Sequence, residues 1–384
     1  METPPLYRQL QDQLRQWVMP KDQRHLQGFV EILAAILQSQ SAWFGKWIPY
    51  LSHRDCQARA HMERLSYFVH NEQITAERFY DPLLRYVLTA LAGESMLLTL
   101  DTSMLWDQFC LISVSLVWGG RSFTLAQTVL EHGSATVGFE SYQSVLAHAQ
   151  RLIPLDAQVT LLADRGFEHA AFVAWLEQQQ WHWAIRVKSD LNVTLANGHT
   201  YPVESLVPPP EHAHLFEQVR VLGGVVCHLA TANAPDAKDH WAVLSDQRPS
   251  LQTFALYGKR FGGAEPHFKD YKSAAFEVLH SGLRDAQALT CLFMLLDCAL
   301  LIALLLGMML VQAGHLARLD WHPQRGLSFL QLGLRELARL RYQGLPLPQL
   351  PALPKINPPP ASASRRKREA LDCRIEFSKV VRFS

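Results

Sequence analysis

Two aspartates stand where short apolar runs end: Asp101 after Met96 to Leu100 (MLLTL) and Asp164 after Val159 to Ala163 (VTLLA). Such runs read as buried strands, so each carboxylate is held on a rigid element at a sheet edge. Like charges held close repel unless a divalent cation neutralises them. Brought together, the two would offer hard oxygen ligands, which suit Mg²⁺ or Mn²⁺ rather than zinc. Taken singly, each aspartate would equally serve as a cap for the turn that follows it.

A third acid is needed for a two-metal site, and Glu265 is the candidate, within Tyr257 to Ser273 (YGKRFGGAEPHFKDYKS). Gly262 and Gly263 discourage helix, and Pro266 is tolerated in a first helical turn, so the spacing predicts a helix that begins near Ala264. Glu265, Phe268 and Lys272 would then share one face. An acid and a base two turns apart, with Tyr257 and Arg260 just upstream, suit a metal flanked by phosphates. The plain alternative is a surface helix with solvated charges. Asp246, ending the run Trp241 to Asp246 (WAVLSD), and Asp270 are rival third acids. His267 reads as a surface histidine beside Glu265. His212 and His214 flank Ala213 with no third ligand in view.

The elements needed to position these residues follow from periodicity and turn signals. Residues 1–92 read as a helical N-terminal domain, with helices over Leu26 to Leu37, Asp55 to Val69 (Asp55 as cap) and Glu77 to Leu91. Short helices with tight connections are a candidate helix-turn-helix DNA-binding unit. From residue 93 to 188 the texture changes. Met96 to Leu100, Cys110 to Trp118 and Arg121 to Leu130 read as strands, the last two joined by Gly119-Gly120. A helix at Phe139 to Leu152, the strand Val159 to Ala163, a helix at Glu168 to Gln180 and the strand Trp181 to Val187 follow. In this β-β-β-α-β-α-β order the first and fourth strands lie side by side, which would bring Asp101 and Asp164 together. Residues 189–256 read as an all-β insertion, and 257–343 return to helix. Seven of the 21 prolines fall between Leu345 and Pro360, so 344–384 reads as a semi-rigid, disordered tail ending in the basic run Arg365 to Arg368.

Composition bounds the function classes. The 384 residues are 48% hydrophobic and 18% charged, which excludes a disordered chain or a disulfide-stapled mini-fold. A formal charge of +1 gives no global signature of nucleic-acid binding, so such binding must come from local sites. The six cysteines form no Cys-x-x-Cys pair, which fits a reduced, cytosolic chain better than a zinc ribbon. Ala286 to Ala313 is almost wholly apolar but contains Asp297, and the uncharged run Cys298 to Val311 is only 14 residues. A spanning helix needs roughly 17–25, so a buried core helix is expected and no membrane partner.

Asp101 in LTLDTS, Asp164 in LLADRGF, and Tyr257, Arg260, Glu265 and Lys272 together resemble the DDE transposases of bacterial insertion sequences. More narrowly, they resemble the insertion-sequence-four group, marked by a Tyr…Arg…Glu…Lys signature. The likeness spans roughly residues 25–330. One departure stands out: Phe261 to Ala264 put four residues between Arg260 and Glu265, where the family has three. The resemblance implies an α/β chain with an RNase H-like catalytic domain. It implies two Mg²⁺ ions, replaceable by Mn²⁺, held by Asp101, Asp164 and Glu265. It further implies cut-and-paste transposition: cleavage of double-stranded DNA at terminal inverted repeats, in some members through a hairpin, then strand transfer to target DNA by a homodimer in the bacterial cytoplasm, at the nucleoid. Tyr257, Arg260 and Lys272 would contact the DNA end. Arg165 beside Asp164 and Trp241 as a stacking platform are further candidates for DNA contact. Competing readings are a relative that binds DNA without cutting, a nuclease without strand transfer, and a membrane-associated protein.

Overall fold

The computed structural model describes residues 5–18, 20–51, 56–234, 239–363 and 377–383. Asp55, the basic run Arg365 to Arg368 and Cys373 lie outside these. The N-terminal part forms helices α1 (Pro5–Leu14), α2 (Gln23–Ser39), α3 (Phe44–Trp47), α4 (Ala58–Val69), α5 (Ala76–Phe79) and α6 (Asp81–Leu88). Helix α2 begins where the Asp22 carboxylate accepts from the backbone N–H of Arg24 and ends where Gln40 turns left-handed. Leu26, Phe29, Leu33, Ile36 and Leu37 give it the apolar stripe at helical spacing, and all are buried. The expected helix at Glu77 to Leu91 is two short helices, because Pro82 starts a new one in the first turn of α6.

Next come strands β1 (Ser95–Leu105), β2 (Phe109–Trp118) and β3 (Arg121–Glu131), helix α7 (Phe139–Gln150), strand β4 (Gln158–Ala163), helix α8 (Ala170–Gln178) and strand β5 (His182–Arg186). Gly119 and Gly120, both at positive φ, close the β2–β3 hairpin in a two-residue turn that side chains would strain. The sheet order is β3-β2-β1-β4-β5, antiparallel among the first three and parallel from β1 through β5. This is a large mixed sheet with β1 beside β4, as the β-β-β-α-β-α-β reading requires.

Strands β6 (Asn192–Thr194) and β7 (Thr200–Pro202), the short helix α9 (Val203–Leu206), and strands β8 (His212–Val221), β9 (Val225–Asn233) and β10 (Trp241–Ser245) follow. They do not make a sheet of their own: β10 pairs with β5 and extends the same sheet through β9 and β8 to β6 and β7.

The C-terminal part corrects two expectations. Helix α10 (Leu251–Lys269) begins thirteen residues before the predicted start near Ala264 and runs through Gly262, Gly263 and Pro266. Ser250 and Thr253 form a reciprocal cap that fixes the start. A one-turn π segment, Asp270 to Ala274, ends it. Helices α11 (Ala286–Gln312) and α12 (Phe329–Tyr342) then pack on each other, and α11 also packs on α2 and β3. Helix α11 is long and apolar enough to cross a membrane, yet 94% of its most apolar window is buried inside the protein. The proline-rich segment to residue 363 is docked rather than disordered. Leu347, Leu350 and Leu353 are buried, Leu353 N–H donates to Val87 O at 2.9 Å, and Gln13 Nε2 donates to Pro348 O at 2.9 Å. Strand β11 (Lys379–Phe383) adds to β8 in parallel.

Candidate active site

The register of β1 and β4 sets the geometry. Leu100 pairs with Ala163, so the next residues, Asp101 and Asp164, sit side by side where the parallel pairing ends. Asp101 lies within β1 rather than at its end, because β1 continues to Leu105 along β2. Asp164 caps the short turn that follows β4 and accepts from the N–H of Arg165 at 2.8 Å.

Helix α10 crosses this face of the sheet. Its buried stripe is Thr253, Tyr257, Arg260, Ala264 and His267, at intervals of three and four. The stripe meets an unusually polar surface: Thr99, Ser115 and Thr124 pair across three strands, Ser113 stands opposite Asp101, and all four hydroxyl residues are buried. Arg260 reaches the acidic pair. Its Nη2 donates to Asp101 Oδ2 at 2.8 Å and lies 3.6 Å from Asp164 Oδ2. Only 6% of the Arg260 side chain is exposed. Burial pushes the Asp101 carboxyl up to about 6, against the pull of the Arg260 charge and with the push of Asp164. Burial also works against the Arg260 charge, but the two carboxylates outweigh it and hold its pKa above the ordinary value.

The remaining candidates fall elsewhere. Glu265 is five residues past Arg260, about 140° around the helix, and is exposed. Lys272, in the π segment, donates to Met104 O at 2.9 Å, and its burial lowers its pKa. Tyr257 is buried among Leu162, Ala184 and Val243, with no hydrogen-bond partner for its hydroxyl. Trp241 is half-buried and packs edge-on against Phe254 and Tyr257. The side chain of Arg165 is exposed beside Asp164. Asp246 accepts from Trp183 N–H at the start of β5, the sheet end opposite Asp164. Asp270 pairs with Arg121 at 2.5 Å. His212 and His214 lie on β8, away from the acidic pair.

His267, expected on the surface, is buried, and it opens a network that the sequence did not disclose. Its Nε2 is 3.0 Å from the Thr124 hydroxyl, which is 3.0 Å from the Tyr271 hydroxyl. Tyr271 donates to Asp297 of α11, and Gln127 Nε2 donates to the other oxygen of Asp297 at 2.6 Å. Burial pushes the Asp297 carboxyl up to about 8, against the hydrogen bonds it accepts. The folded protein therefore holds a proton that the unfolded chain releases near pH 4, and this group's contribution falls as pH rises from about 4 to about 8. Asp297→Asn is expected to gain stability relative to the parent over that window, by a few kcal/mol at pH 8 compared with pH 5. Its carbonyl oxygen would still accept from Gln127 Nε2. Parallel pH slopes in thermal melts of the two proteins would refute this.

Oxygens of two neighbouring carboxylates are the donor type a divalent cation takes. As arranged, however, they are engaged by Arg260, and Glu265 faces solvent. Among the described residues, no group of three His, Cys, Asp or Glu is placed to hold a metal ion. This arrangement does not fit a two-ion, three-acid centre.

Residues 140–303 match the family described as Transposase DDE domain. The match includes Asp164, Arg260 and Glu265 and begins after Asp101. Among curated proteins none matches this chain. A cryo-EM structure of a piggyBac transposase synaptic complex with hairpin DNA aligns at 9% identity with a TM-score of 0.43, covering 98% of this chain and 84% of that one. The chain carries a transposase DDE domain, and it is an enzyme of the DDE transposase type.

Proposed function

We propose that the chain moves a DNA element by cut-and-paste transposition, cleaving at terminal inverted repeats and transferring the freed strands to target DNA by phosphoryl transfer. Asp101 and Asp164 are the acidic pair of its reaction centre, and Glu265 is the third acid. The observation that carries this is the parallel register of β1 and β4, which sets Asp101 beside Asp164 where that pairing ends. The matched domain supports the class of reaction. The narrower Tyr-Arg-Glu-Lys assignment belongs to this proposal, as do a homodimer on DNA and Mg²⁺ or Mn²⁺ as cofactor. So do DNA contacts by Tyr257, Arg260, Lys272, Arg165 and Trp241, and a place in the bacterial cytoplasm at the nucleoid. Of the five DNA-contact residues, only Arg165 has an exposed side chain in this conformation.

The test is cleavage of the gene's native flanking DNA by the full chain with Mg²⁺ or Mn²⁺, followed by a strand-transfer assay. Cuts at flanking repeats and joined products support transposition. Cuts without joining mark a nuclease. Specific binding without cuts marks a DNA-binding relative, which the outward Glu265 and the extra residue before it favour. Glu265→Gln is expected to lower cutting at least about 10²-fold with DNA binding retained. If Glu265→Gln cuts normally, the third acid is misassigned.

A further inference from the structure

We infer that the connection from α11 to α12, with the outer face of α12, is a contact surface for duplex DNA flanking the cut, built from Arg318, Trp321, Arg335, Arg341 and Tyr342. It rests on the proposed reaction only for its substrate. Charge is the first observation. Residues 313–345 carry five arginines against two acids, whereas the rest of the chain carries 31 Lys and Arg against 33 Asp and Glu. Both acids of the segment are buried and matched. Glu336 pairs with Arg339 at 2.6 Å, and Asp320 Oδ1 lies 2.5 Å from His322 Nδ1. Arg318, Arg335 and Arg341 are exposed, and among the described residues none has an acidic partner. Arg335 Nη1 donates to Leu319 O at 2.9 Å, which sets it beside Arg318 and the turn that follows.

The second observation is how the aromatics are displayed. Trp321 is 82% and Tyr342 93% exposed, more than any other aromatic among the described residues. A single exposed aromatic calls for no explanation, but Trp321 stands on a fixed base. Buried Asp320 accepts from the N–H groups of His322, Gly326 and Leu327, and the indole stacks on His322 with ring centroids 4.0 Å apart. On α12, Leu330, Leu334 and Leu337 face the core. Arg335 and Tyr342, seven residues apart and so on one side of the helix, face solvent.

Uncompensated arginines interleaved with open aromatics suit a nucleic-acid backbone: guanidinium groups take phosphates, and rings cover the sugars and bases beside them. A second copy docked here about a two-fold axis would set the same arginines against each other. Phe329 at the start of α12 lies against Gly119 in the β2–β3 turn. Ser113, opposite Asp101, is five residues before Trp118 at that turn, about 17 Å along the strand. DNA held here is therefore flanking duplex, about five base pairs or more from the acidic pair.

Fluorescence anisotropy of the full chain in EDTA tests this apart from cutting, with labelled duplexes of the native flanking sequence and of a scrambled one. Arg318→Gln combined with Arg335→Gln is expected to weaken both duplexes alike, at least about tenfold at low salt, and to flatten the slope of log affinity against log salt by about 2. Trp321→Ala should weaken binding several-fold, and Trp321→Phe should keep most of it. All three side chains are exposed, so thermal melts should match the parent. Unchanged affinity with an unchanged salt slope overturns the surface, as does a parent that binds neither duplex. Loss of a parent dimer at unchanged DNA affinity also overturns it and marks an interface between copies. Weakened binding in a chain whose parent cuts no DNA would keep the surface and sink the proposed reaction. A cutting parent whose variants bind normally would do the reverse.

Discussion

Replacing Asp164 by alanine is expected to lower DNA strand cleavage by at least about 10³-fold, equivalent to about 4 kcal/mol of barrier. Asp164 stands one residue beyond the last residue of β4, within reach of the same guanidinium that holds Asp101. Its side chain is half-buried, and its one backbone bond, from Arg165 N–H, is a turn cap of about 1 kcal/mol. Stability should therefore fall little while activity collapses. Cleavage of flanking DNA and a thermal melt, run on the same preparation, separate the two effects. An active Asp164→Ala protein would remove Asp164 from the reaction. A protein that melts far below the parent would mean that the pair serves the fold.

Gly333→Ala is expected to cost about 3–5 kcal/mol, a large share of the ~5–15 kcal/mol that holds a typical domain. In an isolated helix the same change would stabilise by up to about 1 kcal/mol, so the sign is the informative part. A Cβ on Gly333 would lie 1.6 Å from the carbonyl oxygen of Ala303, and one on Gly307 would lie 2.0 Å from that of Phe329. Helices α11 and α12 thus touch backbone to backbone. Neither carbonyl can rotate away without breaking its own helix. The helices would have to part, loosening Phe329, Leu330 and Leu337 from the core. Urea unfolding checks this. A midpoint equal to the parent's would mean that the crossing has slack.

Much of the fold was legible because its signals are local. The apolar runs ending at Asp101 and Asp164, the Gly119-Gly120 hairpin and the stripe of α2 each declare their element. What was missed had its sign reversed by tertiary contacts. Gly262, Gly263 and Pro266 read as helix breakers. Yet Gly263 suits α10, since a Cβ there would sit 3.0 Å from Val117 Cγ2, closer than most such contacts. The Ser250 cap and the buried stripe outweigh the missing Pro266 donor. The proline-rich segment hid a pattern of its own. Leu347, Leu350 and Leu353 recur every third residue, the repeat of an extended left-handed proline helix, and so share one face. The alternating hydroxyls of Ser113, Ser115, Ser122 and Thr124 likewise announced a polar sheet face. The network from His267 to Asp297 could not be read, because it joins four elements separated by long stretches of sequence. The outward Glu265 follows from where α10 begins, which the glycines obscured.

The docked C-terminal segment also sets an order of events during synthesis. Gln13 of α1 accepts from the N–H of Leu350 and donates to the carbonyl of Pro348, 335 residues further along. Gln9 accepts from the N–H of Leu347. One flank of this helix therefore stays open on the ribosome until residues 347–350 have emerged. Contacts of such long sequence separation form late and slow the final step of folding. Until then the apolar surface that receives Leu347, Leu350 and Leu353 is bare, and so is the edge of β8 that β11 covers. A nascent chain stalled short of this segment would expose both a greasy groove and an unpaired strand edge, the two features that most readily drive aggregation.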